Sequence, residues 1–213
     1  MTTETMSVHQ ALAELKTLDA RISKAINSLD CVAAKKHSSA QVNGISVESY
    51  EKSAEKAYQK ATDLINRRNA IKRAVVLSNA TTKVKIVGVE YTVAEAIDMK
   101  NHGMENLRSV MDKINAAFLS AQRLCNSNNG ANLEDRADDY IKSLFGASDS
   151  KIQSDEVEKA RSKFIENQTF ELVDPLDAKK IVEELNDKTN AFMTEVDSAL
   201  SVSNAITEIK ITY

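Results

Sequence analysis

Proline is nearly missing from this chain, one in 213 residues, and glycine is scarce at five. Both lie far below ordinary usage, which argues against loop-rich architectures and for long, uninterrupted elements. Tryptophan is absent and aromatics make up 5%. The core must therefore be mostly aliphatic, which a helical bundle accepts more readily than a β-sandwich. The two cysteines, Cys31 and Cys125, form no CxxC pair, so free thiols in a reducing compartment are expected rather than a disulfide framework. No run approaches the roughly 18 apolar residues of a membrane span, and no basic-then-apolar leader opens the chain. The expectation is a protein made in the cytoplasm with no secretion signal of its own.

Charge and aliphatic periodicity are what the chain does have. Charged residues make up 28% and hydrophobic ones 42%, with a net charge of −3; that composition folds. Divided at Asn106, the first part has 15 Lys/Arg against 12 Asp/Glu and the second 13 against 19. The polarity is too mild for a nucleic-acid footprint.

The periodicity predicts helices. Ser7 and Gln10 form a capping box, followed by a stripe of Val8, Leu12, Leu15, Leu18, Ile22, Ile26 and Leu29 ending near Asp30–Cys31. Asn43-Gly44 marks a turn, and Ser46 caps a long heptad helix: Val47, Tyr50, Ala54, Ala57, Ala61, Leu64, Arg68, Ile71, Val75, Ser78. Thr92 and Glu95 open another helix, with Val93, Ile97, Lys100, Met104, Leu107, Met111, Ile114, Phe118, Ala121 and Cys125 on one seam and Gly103 inside it. It breaks at Asn126–Gly130. Short helices are expected from Leu133 to Phe145 and from Ser154, separated by a polar linker over 147–153. Asp174-Pro175 reads as a cap with proline at the first helical position. The closing helix carries Ala178, Val182, Leu185, Thr189, Phe192, Val196 and Ala199.

One phrase occurs twice. Residues 77–86 read LSNATTKVKI and residues 202–211 read VSNAITEIKI, identical at six of ten positions and 125 residues apart. In each, a helix is expected to end at Ser-Asn-Ala, with Asn79 suited to the left-handed conformation, and to leave as a strand. The expected architecture is mostly α: one elongated antiparallel bundle or coiled coil over 1–213. Residues 82–87, 89–92 and 205–212 form a three-stranded sheet at one end. Its parts are a long-helix region over 1–130 with a hairpin at 82–92, a short-helix insertion over 131–173, and a closing helix and strand over 174–213.

Nothing in the pattern points to catalysis. His9, His37 and His102 are isolated and make no HxxxH or HExxH spacing. Glycine-rich phosphate loops and a GxSxG elbow are missing. The basic cluster Arg67, Arg68, Lys72 and Arg73 reads first as one polar face of a long helix and second as a patch for nucleic acid or an acidic partner. Glu134, Asp135, Asp138 and Asp139 read as a solvated face, or as a match for the basic cluster of another copy. Met99, Met104 and Met111 read first as core filling and second as an adaptable contact surface. No catalytic, cofactor-binding or metal-binding residue is assigned.

The stretch TTKVKIVGVEYTVAEAI at 81–97 and the ending ALSVSNAITEI at 199–209 resemble the septicolysin-like family of small helical proteins. The chain is also similar to uncharacterised proteins encoded among the virion genes of bacteriophages and prophages of Gram-positive bacteria. The first resemblance implies a membrane-damaging toxin. The second implies a non-enzymatic structural or assembly protein of the virion, in the tail, acting through helix-mediated contacts with other virion proteins and copies of itself. The alternative is a soluble regulatory or nucleic-acid-binding protein that uses the 67–73 cluster. No small-molecule substrate and no cofactor are expected.

Overall fold

The computed structural model describes residues 2–146 and 154–213, and they are mostly helical. β1 (Thr3–Ser7) leads into α1 (Val8–Asn27), and a tight hairpin of β2 (Gln41–Val42) and β3 (Ile45–Ser46) leads into α2 (Val47–Thr81). β4 (Lys83–Ile86) and β5 (Val89–Thr92) follow, then α3 (Val93–Asp98), a π turn (Met99–Gly103) and α4 (Met104–Asn128). α5 (Ala131–Phe145), α6 (Ser154–Gln168), α7 (Ala178–Ile206) and β6 (Glu208–Thr212) complete the order. The linker expected over 147–153 lies outside the described residues.

The caps fall where side-chain chemistry places them. The Gln10 N–H donates to Ser7 Oγ at 3.2 Å, while the Ser7 N–H donates to Gln10 Oε1 at 3.0 Å. Thr92 and Glu95 repeat this box at 3.1 and 2.7 Å. Each box satisfies two N–H groups that the first helical turn leaves without partners. At the closing helix the expectation shifts. Asp174 accepts from the Ala178 N–H with both oxygens, at 2.9 and 3.0 Å, and α7 begins at Ala178 rather than at Pro175.

The three-stranded sheet does not form. β4 pairs only with β5, in register Lys83↔Thr92 to Ile86↔Val89. β6 pairs antiparallel with β1, from Thr3↔Thr212 to Ser7↔Glu208. The reason is a strand at 3–7 that the periodicity did not reveal. It offers β6 a full ladder, and it buries Met6 in the same cluster as Ile209 and Ile211. The helices also run past Ser-Asn-Ala, to Thr81 and Ile206, and Asn79 is not left-handed.

The repeated phrase is nonetheless one structure made twice. The Thr82 N–H donates to the Ser78 carbonyl at 2.8 Å, and the Thr207 N–H to the Ser203 carbonyl at 2.9 Å. Thr82 then accepts from the Val93 N–H, and Thr207 from the Val8 N–H, both at 2.9 Å. The partner strands repeat too. Ser7-Val8-His9-Gln10-Ala11-Leu12 matches Thr92-Val93-Ala94-Glu95-Ala96-Ile97, and Val8, Val93, Ala11 and Ala96 are all buried. One extra residue at the π turn, where a single added residue widens a helical turn, then makes Leu18 equivalent to Met104. Both are fully buried.

By compactness the chain forms two units, Met1–His102 with Ala191–Tyr213, and Gly103–Asn190. The expected divisions after residues 130 and 173 both fall inside the second. The first unit has an aliphatic core of Val8, Leu18, Leu64, Ile71, Val75 and Ile211, with Ala11, Ala25 and Ala61 letting α1 and α2 approach closely. In the second, α5 and α6 pack through Tyr140 stacked on Phe164 (4.6 Å between centroids), and Leu133 and Ala137 are buried. Lys179 lies 5.3 Å from the centre of the Phe118 ring.

Candidate functional site

The basic cluster on α2 is divided by the fold. Arg67 is half-buried and donates from Nη1 to Glu4 at 2.7 Å, from Nη2 to Glu14 at 2.8 Å, and also to the Tyr213 hydroxyl. Its guanidinium carbon lies 5.0 Å from the Tyr213 ring centre. The paired guanidinium holds the Glu14 carboxyl below its ordinary range, and Glu14 and Glu4 push the Arg67 pKa up. Arg68 donates to Asp19 at 2.7 Å. Lys72 and Arg73 are exposed and have no ion-pair partner among the described residues.

Arg73 lines the larger of two related grooves in the first unit. One lies between α2 and β6. It holds about 540 Å³ and is lined by Asn66, Ala70, Arg73 and Leu77 on the helix and by Lys210 and Thr212 on the strand. The other lies between α7 and β4. It holds about 340 Å³, with Ser198, Ala199, Val202 and Ile206 on the helix and Lys83 and Lys85 on the strand. The offset of 125 residues converts Arg73, Ala74 and Leu77 into Ser198, Ala199 and Val202, and Lys210 into Lys85. The grooves thus overlap at four equivalent positions of the two helix-to-strand joints; the first extends on to Ala70 and Thr212, the second to Ile206 and Lys83. A repeated phrase on its own shows only a shared helix exit; the groove beside it needs the tertiary fold.

Both grooves border a strand edge. Thr2 and Tyr213 exchange backbone hydrogen bonds at 2.8 and 3.2 Å, which sets the phase of the β1–β6 ladder. Because alternate residues of an antiparallel strand turn their N–H and C=O to opposite sides, Glu208, Lys210 and Thr212 turn theirs away from β1. Lys83, Lys85 and Val87 do the same on β4. The Val87 N–H is taken by Glu195 Oε2 at 2.6 Å. Its equivalent, the Thr212 N–H, has no partner among the described residues, because Ala70 stands where the other copy has Glu195.

The remaining candidates do not converge. His9 and His37 are exposed, and His102 pairs with Asp98 at 2.9 Å on the surface. No group of three potential metal ligands occurs among the described residues. Glu134 and Asp138 both accept from Arg161 of their own unit, and Asp139 pairs with Lys142. Met104 is buried, and Met99 and Met111 are half-buried. Cys31 is exposed and free, and Cys125 is half-buried and free. No described helix is long and apolar enough to cross a membrane. Compared with known proteins, the chain matches no protein family, no curated protein and no solved structure.

Proposed function

We propose that this chain is a non-enzymatic structural or assembly protein of a bacteriophage virion, associated with the tail and working by protein–protein contact. The reading rests on the resemblance of the chain as a whole to proteins encoded among the virion genes of phages and prophages. One structural observation supports the contact part: long helices carry large apolar side chains facing solvent. Val76 and Leu77 on α2, Val110 and Leu124 on α4, and Val202 and Ile206 on α7 are each about half exposed or more. Single exposed apolar residues are ordinary, but repeated ones along helices supply surfaces for partner helices. In this reading the heptad helices assemble as coiled-coil or bundle elements with other virion proteins and with copies of the same chain. Mass spectrometry of purified virions should find the protein in multiple copies, and light scattering should show association. A strict monomer that is missing from particles and binds no virion protein would overturn the proposal.

A further inference from the structure

We infer that the groove between α2 and β6 binds an extended acidic segment of a partner protein, which adds to the free edge of β6. The protein displays the recognition chemistry in its own second copy. There, the Glu195 carboxylate reaches the strand edge and accepts from the outward N–H of Val87 at 2.6 Å. At the equivalent place the outward N–H of Thr212 has no partner among the described residues, and the helix residue that corresponds to Glu195 is Ala70, which lines the same groove. No carboxylate of the groove's own lining can fill that role, so one that did would come from another chain.

The surrounding charge matches. Arg73 and Lys210 line the groove, neither has an ion-pair partner among the described residues, and no acidic side chain lines it. Glu208 lies on the same strand edge but outside the lining. The groove itself holds about 540 Å³. Lys210 and Thr212 turn their N–H and C=O groups toward it, so an added strand would find a ladder already in place. Lysine on an open edge also discourages unwanted pairing between sheets. An acidic strand is the partner for which that lysine becomes attractive rather than repulsive.

This inference deepens the protein-contact reading and rests on it only for the partner being a protein. It does not need that protein to come from a virion. The probe is a fluorescein-labelled seven-residue peptide alternating valine and glutamate, titrated with the full-length protein by fluorescence anisotropy. Its glutamine counterpart serves as the control. Wild type should bind the acidic peptide at one site, more weakly as salt rises, and bind the glutamine peptide at least tenfold more weakly.

Ala70→Glu should supply the missing carboxylate internally and weaken binding at least tenfold. The exposed charge reversal Arg73→Glu with Lys210→Glu should do the same with an unchanged melting curve. Glu195→Ala should free the Val87 N–H beside the second groove and raise the stoichiometry to two. Undiminished binding to Ala70→Glu, equal binding of the glutamine peptide, a stoichiometry of one in Glu195→Ala, or no binding by wild type would each overturn the assignment. So would a concentration-dependent dimer that Ala70→Glu dissociates, since the groove would then belong to a second copy. Failure of this titration leaves detection in virions untouched, and a missing virion signal leaves the titration untouched.

Discussion

Arg67 and Tyr213 meet across 146 residues of sequence, the guanidinium carbon 5.0 Å from the ring centre and the hydroxyl accepting from Nη1. Through Glu4 and Glu14 the same arginine also holds β1 and α1. One side chain on α2 therefore ties together three segments that lie far apart in the chain. At the equivalent position of the second copy stands Phe192, buried edge-on against Tyr91 at 5.8 Å between centroids. The two halves fill one architectural position by different chemistry, ionic in one and aromatic in the other.

Removing the arginine should cost more than an ordinary surface ion pair. Arg67→Ala leaves Glu4 and Glu14 without their partner, with Glu14 only 21% exposed, and should destabilise by about 2–4 kcal/mol. Urea unfolding measures it. In a double-mutant cycle, Glu14→Gln should cost much less in the Arg67→Ala background than in wild type, and additivity would show that the pair is not coupled.

Stability should fall in acid. Arg67 depresses the Glu14 carboxyl, so the unfolded chain takes up this proton more readily than the folded one. The stabilisation is fully present above the unfolded carboxyl value of 4.5 and is lost as pH falls through the lower folded value. Glu95, depressed by its hydrogen bonds with Thr92, acts in the same direction. Melting temperature against pH should drop below about pH 4.5 in wild type, and Glu14→Gln should flatten part of that drop.

The β4–β5 turn should accept improvement. Val87 has φ +47 and Gly88 φ +76, the pattern of a two-residue hairpin turn that favours Asn-Gly. A β-branched residue is strained there. Val87→Asn keeps the N–H that Glu195 uses and should stabilise by about 1 kcal/mol, read as a higher melting temperature. The β2–β3 hairpin already has Asn43-Gly44 at that place, with φ +51 and +84.

Leu18 is fully buried where α1 packs on α2. Leu18→Ala should cost about 3–5 kcal/mol, whereas Leu18→Met should cost under about 1.5 kcal/mol, because the second keeps the volume. Similar losses for both would mean that shape, not volume, limits the site.

How much of this was legible in the sequence varies by element. The boxes Ser7/Gln10 and Thr92/Glu95, the Ser46 cap and the Asn43-Gly44 turn are local chemistry, satisfied within three or four residues. They were readable for that reason. The heptad of α2 also held, with Tyr50, Ala61, Leu64, Ile71 and Val75 buried. The strand at 3–7 was missed because TETMS has only Met6 to bury and no alternation of apolar residues. Its existence depends on β6, more than 200 residues later.

By itself, the sequence determined most of the helical spans, the caps at Ser7, Ser46 and Thr92, and the recurrence of the helix-to-strand joint, since each is stabilised by neighbours a few positions away. Tertiary structure alone decided which strand each joint meets, how the basic cluster is divided between Arg67 in an ionic knot and Arg73 in an open groove, and that Ala70 stands opposite a free N–H where Glu195 fills its twin. Those outcomes depend on hydrogen bonds and charges brought together from distant parts of the chain, and local periodicity carries no record of distant partners.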